Sequence, residues 1–277
     1  MTFRYEDRHQ DEFLRDGFTV FRGILPPALV RDLRRETEKG RESARKASGS
    51  QVQRFQPVGA YDLDRKPFEA YRDLPELRDA LARVLSPRHT YGDLDRWLGV
   101  LIEPASLPWC TNWHRDFRHH TTGEKRAAWE RVRFDLDYFN QINCALYADD
   151  STWVVPGSHL REDLPCERAA FPDDPPAGPS LDGWGAEERE AACLRYANSM
   201  PGAVQLFLQA GDFCLYRSGM WHLGNYLPYR RRATLHDAVE TPRSRTWLLE
   251  TGHRAPGDKP RAEQAAASAL VREAIPT

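Results

Sequence analysis

A mainly β protein with flanking helices is what this sequence predicts, and three features of it point there. From Trp97 onward the chain runs in short β-favouring stretches, WLGVLIEP, FDLDYFNQINCALYA, TWVVPGSHL, AVQLFLQAGDFCLYRSG and RATLHDAV, each broken off by Pro, Gly or Asp. Many short strands separated by turn signals indicate a sandwich or barrel. Before Trp97, apolar residues recur at helical spacing, which places helices beside the sheets. The third feature is bulk: 277 residues, 40% of them hydrophobic, can bury a substantial core.

In chain order, a short helix opening at Asp11 leads to a strand over Phe18 to Phe21, and a second helix runs from about Pro27 to Lys39 after the Pro26-Pro27 start signal. Residues 40 to 66 are polar and rich in Gly, Ser and Arg, which predicts a loop, and PELRDALARVL predicts a helix from Pro75 to Leu85. Two segments interrupt the β region: Phe117 to Arg133, rich in His, Arg and Thr, and the long proline-rich stretch from Arg161 to Met200. Both are expected at the mouth of a pocket, as lids, with a solvated insertion as the alternative for Pro172 to Pro179. A terminal helix is expected from Arg261 to Ala274. The whole reads as one domain over 1–277: a helical N-terminal region over 1–90, a β core of about 91–240 and a C-terminal extension over 241–277.

Composition excludes several functions. Lys and Arg total 39 against 41 Asp and Glu, a net charge of −2, so the chain lacks the basic surplus of a nucleic-acid binder. No run of roughly 18 apolar residues would span a membrane, and the charged start MTFRYEDRHQ has no apolar signal region. Cys110, Cys144, Cys166, Cys193 and Cys214 are odd in number and form no CxxC pair, which predicts free thiols in a reducing compartment. The expectation is a cytoplasmic protein acting on a small molecule, with no nucleic-acid or membrane partner. Nothing in the sequence fixes an oligomeric state.

The chemistry starts at NWHRDF. His114 and Asp116 are two residues apart, and on extended backbone i and i+2 project from one face, so both can reach one metal ion. HxD alone is a weak signal, and its bland alternative is a pair in a surface loop. About a hundred residues later, GDFCLYRSGMWHLGNY places His222 at a strand end after the Ser218-Gly219 break. Two histidines and one carboxylate form the facial triad of non-haem Fe(II) oxygenases, which leaves adjacent coordination positions for a chelating cosubstrate and O2. The competing assignment for His222 is a hydrogen-bonded core histidine beside Trp221. An arginine about ten residues past the last ligand suits the distal carboxylate of 2-oxoglutarate, through its bidentate fork. Arg230, Arg231 and Arg232 compete for that role, with Arg230 and Arg232 on one strand face and Arg231 on the other. His236 shares parity with Arg232 and is expected to face the same cavity.

Together these residues resemble the phytanoyl-CoA dioxygenase (PhyH) family over about Phe13 to Ala238. The resemblance rests on FLRDGFTVFRGILPPALVRDLRRE, the HxD pair, WVVPGSH from Trp153 to His159, and the closing GD-strand, distal histidine and RATL elements between Gly211 and Asp237. It implies a double-stranded β-helix (jelly roll, cupin-like), with Fe(II) bound by His114, Asp116 and His222 and with Arg232 anchoring 2-oxoglutarate. It also places Asn143 at a cosubstrate-contacting position, and implies an Fe(II)/2-oxoglutarate dioxygenase that hydroxylates or otherwise oxidises a small molecule. Asp116 argues against halogenation, because related halogenases resemble this pattern with a small residue in place of the carboxylate. The distal histidine departs from the family pattern: it is followed by LGNY, and Gly224 brings no hydroxyl for the cosubstrate. His159 is read as structural, its ring bonding across its own turn. His119 and His120 are left without a role. The rivals are a jelly-roll metalloprotein independent of 2-oxoglutarate, in which a buried arginine would need a protein acid, and a non-catalytic binding module on the same fold.

Overall fold

The computed structural model describes residues 3–118 and 121–258. His119, His120 and the terminal helix expected from Arg261 to Ala274 lie outside the described residues. Helices are α1 (Arg8–Asp16), α2 (Pro27–Ser48), α3 (Lys66–Arg72), α4 (Pro75–Val84), α5 (Gly123–Val132), α6 (Pro165–Ala170), α7 (Ala186–Asn198) and α8 (Pro242–Glu250). Strands are β1 (Phe18–Phe21), β2 (Arg54–Phe55), β3 (Gly99–Ile102), β4 (Trp109–Cys110), β5 (Asn140–Ala145), β6 (Thr152–Val154), β7 (Val204–Gln205), β8 (Phe213–Arg217), β9 (His222–Tyr226) and β10 (Ala233–Val239). None of these helices is long and apolar enough to cross a membrane.

The strands form two antiparallel sheets, ordered β1-β8-β5-β10-β3-β2 and β4-β9-β6-β7. This is the expected double-stranded β-helix, with short strands and both sheets apolar on their packed faces. Register explains how the larger sheet divides its faces. Phe21, Phe213, Cys144, Leu235, Val100 and Phe55 pair across all six strands in one row. Every member is buried in a single core with Phe13, Leu33, Phe68 and Leu77 from the helices. Burying each such large side chain is worth about 1.5–3 kcal/mol. Because side chains alternate, the neighbouring residues Gln141, Asn143, Arg54 and His236 turn to the opposite face, toward the smaller sheet.

Two expectations are corrected here. Helix α2 runs through the predicted loop to Ser48, because one face of its polar C-terminal half is buried: Gly40, Arg41 and Ala44 pack inward. Gly40 lies against the Phe55 ring, where a Cβ would collide, and Arg41 donates to Glu103 at 3.2 Å and to the backbone carbonyl of Arg232. The Arg161 to Met200 segment is likewise built, with α7 packed on the outer face of the smaller sheet. There Cys193, Ala197 and Met200 meet Cys110, Trp153 and Leu223.

Candidate metal centre

His114 lies where two chain segments cross. Its backbone exchanges two hydrogen bonds with that of His222, at 3.1 and 3.0 Å, forming an isolated antiparallel bridge. His222 opens β9, directly after the turn at Ser218-Gly219. The alternation around His114 then sorts the side chains. Arg115 points back into the protein and is fully buried, donating to the carbonyls of Ser158 (2.6 Å) and Gly219 (2.8 Å) and to Asp163 at 2.9 Å. His114 and Asp116 point the other way, into the space between the sheets.

There the donor atoms converge: one from each of His114, Asp116 and His222, all within 4.8 Å of one another. Asp116 Oδ1 lies 3.5 Å from His114 Nε2 and 3.9 Å from His222 Nε2. Both imidazoles are oriented from behind by a backbone carbonyl, His114 Nδ1 on Asn112 O at 2.7 Å and His222 Nδ1 on Met220 O at 2.9 Å. A carbonyl only accepts, so each Nδ1 carries the proton and each Nε2 presents its lone pair, as a ligating histidine requires. Asp116 is held similarly. Gln141 Nε2 donates to Asp116 Oδ2, and Tyr216 Oη donates to Gln141 Oε1 at 2.7 Å. Burial, with the Asp116 charge second, raises the Tyr216 phenol well above its ordinary range, so it remains a donor.

The centre opens into a cavity of about 290 Å³ between the sheets, which Asn143, Arg232 and His236 also line. Arg232 is buried and its Nε donates to Asp149 Oδ2 at 2.9 Å, while Thr234 Oγ1 also donates to that carboxylate oxygen. Its guanidinium carbon stands 4.6 Å from the centre of the Tyr226 ring. Nη1 of Arg232 is buried without a hydrogen-bond partner. Gly224 is what makes room for this arrangement, since a Cβ there would come within 2.7 Å of the Tyr226 ring. The missing hydroxyl at Gly224 thus has a steric reason. Tyr226 and Thr152 bring hydroxyls to the cavity wall.

Burial separates the three arginines. Arg230 and Arg231 are surface residues, Arg230 at 3.7 Å from Asp150 and Arg231 at 3.3 Å from Glu103, whereas Arg232 alone of the three lines the cavity. Arg232 does have a protein acid, Asp149, which is the partner expected of a buried arginine at a site independent of 2-oxoglutarate; Asp149 takes Nε and leaves Nη1 without an acceptor among the described residues. Asn143 spends its amide on Thr152 Oγ1 (3.0 Å) and His236 Nδ1 (2.9 Å). Burial and then the positive charge of Arg54 lower His236 to about 3, so it is neutral at ordinary pH.

His159 bonds the carbonyl of Leu14 in α1 at 3.3 Å rather than across its own turn, and its ring fills the space beside Gly17. No residue of the Arg161 to Met200 segment lines the cavity, so its assignment as a lid is corrected. It supports the centre from behind: Asn112, whose carbonyl orients His114, donates through Nδ2 to Pro176 O at 2.9 Å, and Asp163 pairs with both Arg115 (2.9 Å) and Arg118 (2.7 Å). Of the other segment, Phe117 does line the cavity; its backbone φ of 61° turns the chain sharply after Asp116. Gln141, Tyr216, Tyr226 and Asp149 were not found from sequence. Only Gln141 carried a signal, its shared parity with Asn143.

Residues 13–225 match the family described as phytanoyl-CoA dioxygenase (PhyH). No curated protein matches the sequence significantly. Among solved structures, the chain is similar to AviO1 from Streptomyces viridochromogenes Tue57, with a TM-score of 0.55 at 14% identity over 86% of this chain and 96% of that one. It is also similar to the non-heme monooxygenase ThoJ in its nickel complex, with a TM-score of 0.51 at 16% identity over 84% and 77%. A third is SnoN, a non-heme α-ketoglutarate-dependent epimerase from nogalamycin biosynthesis, with a TM-score of 0.50 at 16% identity over 83% and 80%. At such identities the likeness establishes a common fold.

Proposed function

The chain belongs to the phytanoyl-CoA dioxygenase (PhyH) family, and from that premise we propose that it hydroxylates a small molecule as an Fe(II)- and 2-oxoglutarate-dependent dioxygenase, with His114, Asp116 and His222 as the metal ligands. The observation that carries this reading is a pairing of two features in one cavity. Three donors converge at one point, and the buried Nη1 of Arg232 has no protein acceptor. An unmet buried cationic donor is costly, and a carboxylate supplied by the cosubstrate would meet it.

The residues fit the group the family uses. When bound, Fe(II) and 2-oxoglutarate supply O2 activation, in which the cosubstrate is oxidatively decarboxylated to succinate and CO2 while one oxygen atom enters a C–H bond. The protein's contribution is orientation. The carbonyls of Asn112 and Met220 fix the imidazoles, and the Tyr216–Gln141 relay holds one oxygen of Asp116 so that the other faces the histidines. Asp149 aims Arg232 by gripping Nε, which leaves the far side of the fork for the cosubstrate. His236, kept neutral, places no second charge between these groups. Phe117 and Trp97 line the cavity with aromatic surface.

The test is succinate formation from 2-oxoglutarate by purified protein with and without Fe(II). Succinate should require iron, and His222→Ala should lose both bound iron and succinate formation. Iron-independent succinate, or full iron content and activity in His222→Ala, would sink this assignment. The epimerase named among the similar structures motivates a second readout. Incorporation of oxygen from O2 into product distinguishes hydroxylation from a stereochemical inversion, which leaves the substrate formula unchanged.

A further inference from the structure

The cavity holds a second arginine, which neither the metal centre nor the cosubstrate end employs. Arg54 lies on β2, the edge of the larger sheet, paired with Leu101. Its neighbour Phe55 is buried in the helical core, so alternation turns Arg54 to the cavity side, and it lines the cavity with Gln56 and Leu101. Among the described residues its side chain makes one polar contact, Nη1 to Gln56 Oε1 at 3.4 Å, and no carboxylate pairs with it. That sets it apart from the arginines around it: Arg232 pairs with Asp149, Arg231 and Arg45 with Glu103, and Arg96 with Glu240 and Asp258. Gln56 is itself anchored, its Nε2 donating to the carbonyl of Trp97, another cavity residue.

Arg232 and Arg54 thus sit at different strands of one cavity, one gripped by an acid and aimed, the other exposed and carrying an uncompensated charge. Trp97, Phe117 and Leu101 give the same cavity an apolar and aromatic part of its wall, beside polar residues such as Gln141 and His236. Phe117 belongs to a cluster in which its ring meets Phe139 at 5.3 Å and Trp247 edge-on at 5.9 Å. Its left-handed backbone follows directly on Asp116, so the ring is fixed beside the metal ligands. Strain of this kind at a non-glycine residue persists where surrounding packing determines it.

We infer that Arg54 is the specificity-determining residue of this site, and that the substrate carries a carboxylate or phosphate group which pairs with Arg54 while its apolar body lies along Trp97 and Phe117. This rests on the oxygenase reading for which end of the cavity the cosubstrate fills. A guanidinium fork binds either anion through two parallel N–H···O bonds, and an edge position leaves it reachable from solvent. An ester or a neutral amide of the same shape forfeits that pairing.

The experiment uses the full chain, loaded anaerobically with Fe(II) and saturating 2-oxoglutarate so that the Arg232 end is filled. The probes are 3-phenylpropionate, its methyl ester, and 2-phenylethyl phosphate, titrated calorimetrically against the wild type, Arg54→Gln and Arg54→Lys. One or both anionic probes should bind the wild type at least about ten-fold tighter than the ester, and the better one identifies the anion. Arg54→Gln should abolish that advantage and leave ester binding unchanged. Arg54→Lys, which keeps the charge and loses the fork, should retain some of it. Equal binding of anions and ester by the wild type overturns the inference, as does undiminished anion binding in Arg54→Gln. So does a parallel loss of 2-oxoglutarate affinity in Arg54→Gln, because that would place Arg54 on the cosubstrate. Succinate formation without any probe reports separately on the oxygenase reading, so the two can fail independently.

Discussion

Arg232 and Asp149 form an ion pair at 2.9 Å with side chains only 3% and 2% exposed, and the arginine is gripped by Nε, leaving Nη1 buried and unpartnered. Burial works against the Asp149 carboxylate, but Arg232 and Thr234 more than offset it and hold it below the usual range. The acid therefore stays ionised to lower pH than an ordinary aspartate. Its contribution is present above its unfolded value and is lost only as pH falls through a still lower folded value. Arg232→Ala should raise the 2-oxoglutarate requirement ten-fold or more, with iron still bound. It also leaves Asp149 buried without its cation, a loss of about 3–5 kcal/mol that a thermal melt will register. Asp149→Asn should give the same cosubstrate defect more mildly. An unchanged 2-oxoglutarate dependence in Arg232→Ala removes it from the cosubstrate site.

The Tyr216–Gln141–Asp116 relay makes a second prediction. Gln141→Leu removes the donor on Asp116 Oδ2 and should weaken iron affinity by about 10–100-fold, the range seen when partners of metal ligands are lost. Tyr216→Phe should have a smaller effect in the same direction, since Gln141 would keep its bond to Asp116. Competitive chelator titration measures both, and Fe(II) affinity equal to the wild type in Gln141→Leu would mean that the relay does not tune the metal.

Shortening Pro172 to Pro179 separates support from gating. The stretch anchors Asn112 through Pro176 O, and Asn112 orients His114. The expected result is faster iron loss, with coupled and uncoupled 2-oxoglutarate turnover falling together at limiting iron and recovering together when iron is added. A lid would instead lower product formation while uncoupled decarboxylation continued. The latter outcome restores the role the geometry argues against.

His159 supplies a pH dependence far from the metal. Burial, and then the nearby Arg217, lower it to about 4 from an ordinary 6.5. Between those values the unfolded chain binds more protons than the folded one, so stability falls as pH drops below about 6.5 and the loss levels off below about 4. The histidine's share is about 2 kcal/mol at pH 5. His159→Gln should flatten this region of the stability profile, measured by denaturant melts between pH 8 and pH 5. An identical slope in the variant assigns the effect to other groups.

What the sequence determined by itself was local and periodic. The i, i+2 spacing of His114 and Asp116, the break before His222 and the shared parity of Arg232 and His236 are consequences of extended backbone, which places alternate residues on one face whatever the rest of the chain does. The β texture after Trp97 set the class of fold for the same reason. Tertiary structure alone decided what depends on residues far apart in the chain meeting. Asp149 meets Arg232 from 83 positions away, Gln141 meets Asp116 across 25, and Asn112 is held by Pro176 across 64. The polar helix through Ser48 escaped prediction because its buried face is made of Gly40, Arg41 and Ala44, and the partners of that face, Phe55, Glu103 and Arg232, come from elsewhere in the chain. The proline-rich segment escaped for a related reason: its length suggests a lid, but its position is set by Arg115 and Asn112, and these hold it behind the site instead of over it.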